Sequence, residues 1–95
     1  MQITVSERAQ LETELIQNWY DEIEKGLGEK FLEEINNSLE QICLFPMSFQ
    51  KISDKGIRQT LLKRFPYHII YYFENDEIII LSVYHVKREE EDWNN

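Results

Sequence analysis

The sequence predicts an α+β domain of order β-α-α-β-β-β, a helical hairpin packed on a small antiparallel sheet. Apolar residues first recur every three or four positions through two stretches of residues 7–45, split by Gly26-Leu27-Gly28. From residue 57 the pattern becomes that of extended chain, β-branched and aromatic, with turn signals at Phe65-Pro66 and Asn75-Asp76. Finally, 95 residues leave room for one core, so residues 1–95 form a single domain, with 89–95 expected to be a frayed end.

Each element has a local cause. Residues 2–5 alternate polar and apolar, with Ile3 and Val5 on one side, as a short first strand. Ser6 stands where a helix N-cap is wanted, and Glu7 suits the positive end of the helix dipole. Leu11, Leu15, Ile16, Trp19, Tyr20 and Ile23 then read as one apolar stripe, with Glu12, Glu14, Asp21, Glu22 and Glu24 facing away. A second stripe follows in Phe31, Leu32, Ile35, Leu39, Ile42 and Cys43, and the helix ends before Pro46. So short a connection makes the two helices antiparallel.

Residues 46–56 read as a loop bounded by Pro46 and Gly56, and strands are predicted over 57–63, 67–73 and 77–85. Asn75-Asp76 supplies the positive-φ residues of a tight hairpin. Proline cannot donate to a ladder, so Phe65-Pro66 marks the preceding turn. Which strand the first one joins is left open by the sequence.

Charge is unevenly spread. The net charge is −8. Residues 1–50 hold ten acids and three bases, residues 51–88 hold seven bases and four acids, and residues 89–95 hold four acids. A polyanion would be repelled by the whole and attracted only by the sheet region, which argues against a general nucleic-acid binder. The apolar runs are too short to span a bilayer, and residues 1–10 lack the basic and apolar regions of a signal peptide. One cysteine, Cys43, gives no internal disulfide and fits a reducing cytoplasm, where it is expected to be buried and inert. No cluster has metal-ligand spacing and no glycine-rich loop would cradle phosphate, so neither metal nor cofactor is expected.

The sheet sequence carries a further expectation. In the strand after Pro66, Ile69, Tyr71 and Phe73 share one face, with His68, Ile70 and Tyr72 on the other. In the last strand, alternation sets Ile79, Leu81 and Val83 against Ile78, Ile80 and Tyr84. Both faces are largely apolar and two helices cover only one, which points to a protein partner on the second.

Several motifs together resemble the RelE/ParE superfamily of toxins from type II toxin–antitoxin systems. They are Trp19-Tyr20, L-G-x-x-F from Leu27 to Phe31, Pro46, Ile57-Arg58, the run RFPYHIIYYF from Arg64 to Phe73, and H-x-x-R from His85 to Arg88 with Trp93 beyond. The F-P-Y turn and the H-x-x-R…W ending are more similar to the ParE branch. The resemblance implies a plasmid-stabilisation type toxin that acts by protein binding, with DNA gyrase as a candidate target, and that a cognate antitoxin neutralises. Under that reading Arg58, Arg64, Tyr72, Tyr84, Arg88 and Trp93 are the partner-binding candidates.

The alternative within the superfamily is a ribosome-dependent mRNA endonuclease. Its catalytic candidates are His85 with Arg58, Lys63, Arg64 and Tyr67: cations for a pentavalent phosphate and a proton carrier near neutrality. The acidity of the chain, and Glu89 where the ParE pattern often has proline, set this second. A third reading is a degenerate, non-toxic binding module or homodimer of the same fold.

Overall fold

The computed structural model describes residues 2–88 and 91–94; Met1, Glu89, Glu90 and Asn95 lie outside that description, and with them half of the acidic run. Seven elements follow in order: β1 (Gln2–Val5), α1 (Glu7–Ile23), α2 (Leu27–Leu44), β2 (Gln50–Lys51), β3 (Ile57–Leu61), β4 (Tyr67–Glu74) and β5 (Glu77–His85). The helices lie on one face of a five-stranded sheet of order β1-β5-β4-β3-β2. The expected α+β architecture is present, with two additions. β1 joins β5 in parallel, Ile3 beside Ile78 and Val5 beside Ile80, so the sheet is mixed. The segment read as loop also contributes two residues to the far edge, Gln50 and Lys51 pairing with Gln59 and Arg58.

Local chemistry explains the element ends. The Ser6 hydroxyl accepts the Ala9 N–H at 3.0 Å and caps α1. Gly26 adopts φ +87°, which closes the hairpin loop between the helices. Gly28 has a different reason to be glycine. A Cβ there would lie 2.3 Å from the Gln17 carbonyl oxygen and 2.7 Å from the Asp21 carboxylate, so the helices meet where a side chain has no room. Asn75 and Asp76 take φ 54° and 62°, the left-handed pair of a tight β4–β5 hairpin.

The main core lies between helices and sheet. Phe31, Ile35 and Ile42 of α2 meet Tyr67, Ile69 and Tyr71 of β4 and Ile78, Ile80 and Val83 of β5. Only Ala9 of α1 is fully buried; Ile16 and Tyr20 are half-buried against the same cluster. The Phe65-Pro66-Tyr67 turn feeds two rings into it. Tyr20–Phe65, Phe31–Phe65 and Phe31–Tyr67 are edge-on pairs with centroids 5.0, 5.3 and 5.5 Å apart. Each such pair contributes about 0.5–1.5 kcal/mol beyond its buried area.

Strict alternation fails in β5. Ile70 pairs with Ser82 but Tyr71 pairs with Ile80, so Leu81 is an extra residue in the ladder, a β-bulge. The bulge turns Val83 onto the core face beside Ile78 and Ile80, and puts Tyr84 with Leu81 on the opposite face. The grouping of Tyr84 with Ile78 and Ile80 is therefore corrected. Glu12 of α1 serves this bulge: its Oε1 accepts the Ser82 hydroxyl at 2.7 Å and the Val83 N–H at 3.1 Å.

Candidate protein-binding surface

The second sheet face is not open. Ile57, Ile70 and Tyr84 form a small buried cluster there, with Ile52, Tyr72, Leu81 and Trp93 packed against it. The β2–β3 loop and the chain end supply the cover that the helices do not. The expectation of an uncovered apolar sheet is thus corrected, because Ile52 and the returning Trp93 fold onto it.

The open apolar surface lies on α1 instead. Leu11, Leu15, Trp19 and Ile23 are between 54% and 60% exposed, although the sequence pattern placed them in one stripe with Ile16 and Tyr20. At 100° per residue those six side chains cover about half the helix circumference, more than the roughly 100° stripe one packed layer buries. The helix resolves the excess by turning Ala9, Ile16 and Tyr20 inward and leaving the i, i+4 row of four outside. The width of the apolar arc was the signal in the sequence. Beside this row an apolar groove of about 250 Å³ opens between α1 and the end of β5, walled by Leu15, Ile16, Tyr67, Tyr84, His85 and Arg88. A second apolar patch, Leu44, Phe45 and Met47, is exposed where α2 gives way to its following loop.

The four arginines are engaged within the chain. Arg58 donates from Nη1 to the carbonyls of Met47 at 3.2 Å and Phe49 at 2.9 Å, tying down the loop after α2. Arg64 is fixed by buried Glu34 of α2, whose carboxylate accepts the Arg64 backbone N–H at 2.7 Å and its Nε–H at 3.2 Å. Arg88 donates to Glu12 at 3.3 Å and to Glu91 at 3.4 Å. Arg8 pairs with the same two carboxylates, and its guanidinium stands 5.8 Å from the Trp93 ring centroid. The hydrogen bond from Arg8 holds the Glu91 carboxyl below the usual carboxylate range. The chain end is therefore strapped down: Glu91 bridges Arg8 and Arg88, Trp93 lies on the second cluster, and the Asn94 side chain accepts the Asp54 N–H at 3.0 Å.

The candidate catalytic residues divide between two grooves. Tyr67 and His85 are opposite each other in the β4–β5 ladder, rings edge-on at 5.1 Å, and both wall the apolar groove by α1. Lys63 and Arg64 wall a larger groove of about 600 Å³ on the α2 side, with Glu34, Asn37, Gln41, Phe49 and Leu61. Arg58 pairs with Tyr71, four residues along β4 from Tyr67, or about 13 Å at the strand rise. The Nδ1 of His85 accepts the Lys87 N–H at 3.0 Å, which occupies one imidazole lone pair and directs the ring proton to Nε2. Burial raises the Tyr67 phenol above the usual tyrosine range. Of the partner-binding candidates, Tyr84 is buried, Tyr72 and Trp93 are half-buried on the second cluster, and only Arg64 and Arg88 are exposed.

Fold and surface together define a small α+β domain that keeps its sheet sealed and leaves one helix flank apolar and open. A family model described as the ParE toxin of the type II toxin–antitoxin system, parDE, matches residues 3–90. The chain belongs to that family. Among solved structures it is similar to a chain of the chromosomal ParDE toxin–antitoxin system from P. aeruginosa. That likeness has a TM-score of 0.66 at 21% identity, over 90% of this chain and 95% of the other. No curated protein matches the chain. Among the described residues, no helix is long and apolar enough to cross a membrane.

Proposed function

We propose that the chain is the toxin of a type II pair, acting in the cytoplasm by binding a protein target, with DNA gyrase the first candidate, and neutralised by a cognate antitoxin. The observation that carries this is the exposed row Leu11, Leu15, Trp19 and Ile23. Full burial of such side chains is worth roughly 1.5–3 kcal/mol each. A row about half exposed keeps a good part of that available to a partner. Membership of the ParE toxin family supports an antitoxin as the neutralising partner. The antitoxin segment would lie along the outer flank of α1 and reach into the groove beside Arg88 and Tyr84.

Expression of the chain alone is expected to stop bacterial growth, and co-expression of the protein encoded beside it to restore it. Uninhibited growth at high soluble yield sinks the toxin reading and favours the degenerate binding module. The ribonuclease reading draws on the Tyr67–His85 pair in the apolar groove. Under it, His85→Ala relieves growth arrest and message is cut on translating ribosomes. Intact message with an unchanged His85→Ala phenotype removes it.

A further inference from the structure

We infer that the occupant of the α1 flank is a cationic amphipathic helix, opposite in charge to the helix it covers. The inference takes the docking face from the function proposed above and adds the chemistry of the partner. Three observations carry it.

The first is geometric. Leu11, Leu15, Trp19 and Ile23 follow an i, i+4 ridge about 18 Å long at the helical rise. The backbone of α1 is satisfied within the helix, so this flank offers no free ladder to an extended strand. A partner must bring its own hydrogen-bonded backbone and pack side chains against the ridge, which is what a helix does.

The second is charge. Within Glu7–Ile23 there are five carboxylates and one cation, Arg8, which is already held by Glu12 and Glu91. Glu14 and Glu22 are exposed and flank the row on the side away from the sheet. Among the described residues neither makes an ion pair.

The third is a broken local rule. The last turn of α1 has no basic residue, and Asp21, Glu22 and the C-cap Glu24 crowd the negative pole of the helix dipole. Asp21 is used, accepting the Gly28 N–H at 2.8 Å. Among the described residues Glu22 and Glu24 make no ion pair, and neither does the nearest base in sequence, Lys25. Such uncompensated placement is expected where a binding partner supplies the missing charge. A second copy of this chain docking through the same flank would set carboxylates against carboxylates, and an anionic lipid or nucleic acid would meet the same repulsion.

The test uses two synthetic amphipathic peptides of helix length with an identical leucine stripe, one flanked by Lys and Arg, the other by Glu. Binding to the full chain carrying Trp93→Phe is read from Trp19 emission, with far-UV circular dichroism to show the fold intact. The cationic peptide is expected to bind with a Kd lower by about tenfold or more than its anionic twin, an advantage that high salt shrinks. Glu14→Lys with Glu22→Lys should invert the preference, and Leu15→Asp should abolish both interactions. Equal affinities, no binding of either peptide, or an unchanged preference in the charge-reversed protein overturns the inference. So does a sedimentation-detected dimer that Leu15→Asp dissociates, which makes the second copy the occupant. Growth rescue by the neighbouring protein is scored separately. Rescue lost with Leu15→Asp while the peptides show no charge preference leaves the proposed function standing and only the cationic partner refuted.

Discussion

Replacing Glu12 by alanine should be among the most damaging single changes outside the aromatic core. Its Oε1 accepts the Ser82 hydroxyl and the Val83 N–H at the β5 bulge, and its Oε2 lies 3.3–3.5 Å from Arg88 and Arg8. Ser82 is fully buried, so its hydroxyl loses its partner without gaining water. Leaving a buried donor unsatisfied costs about 1–3 kcal/mol, so two such donors cost roughly 2–6 kcal/mol. That is a large part of the 5–15 kcal/mol that typically holds a domain of this size. At about 4–8 °C per kcal/mol, the melting temperature should fall by about 8 °C at the low end and by several tens of degrees at the high end. Thermal and urea unfolding followed by circular dichroism measure it. Glu12→Gln retains an acceptor for both donors and should restore most of the loss. In a Ser82→Ala background the cost of Glu12→Ala should shrink, because one of the stranded donors is gone. A melting shift below about 4 °C, less than one kcal/mol, refutes the assignment of Glu12 as the bond between α1 and the bulge.

Gly28→Ala should destabilise by about 1–3 kcal/mol, as overpacking does, since its methyl meets the Gln17 carbonyl; calorimetry reads the loss. Tyr71→Phe should cost about 1 kcal/mol through the hydrogen bond to the Pro46 carbonyl, seen as a lowered urea midpoint. Burial pushes the Tyr71 phenol up to about 12 from its ordinary 10.0. Its contribution to stability is therefore complete below the ordinary value and is lost as pH rises through the raised one, an alkaline transition that Tyr71→Phe should blunt. Glu91 runs the other way. Its carboxyl is lowered from the ordinary 4.5, so the strap it makes is intact above that pH and loosens as pH falls through the lowered value. In Trp19→Phe protein, Trp93 emission should shift red over that acid range before the far-UV signal changes.

The sequence was most legible where one residue carries one local rule. The Ser6 cap, the Gly26 break, the Asn75-Asp76 turn and the apolar face of α2 are all where the pattern puts them. Features decided by distant contacts were not legible. The parallel pairing of β1 with β5 has no sequence signal in four residues, and β2 is a two-residue pairing inside a loop. The bulge at Leu81 is invisible to alternation because residues 78–81 are uniformly apolar, yet it decides that Val83 rather than Tyr84 enters the main core. The site was half legible. Arg58, Arg64 and Arg88, named from the sequence as partner-binding candidates, each have an acceptor within the chain. The alternation in the strands puts the apolar excess on the sheet. Trp93 and Ile52 close the sheet, and the excess lies on α1, where six apolar side chains compete for one buried stripe.

Trp19 reports most directly on whether that flank is a docking surface. The chain has two tryptophans, so Trp93→Phe leaves Trp19 alone on the exposed row. Titrating this protein with the proposed antitoxin should shift Trp19 emission to the blue and shield it from an aqueous quencher. Saturable binding that leaves Trp19 as exposed and as quenchable as in the free chain would contradict the account, and would place the partner elsewhere on the molecule.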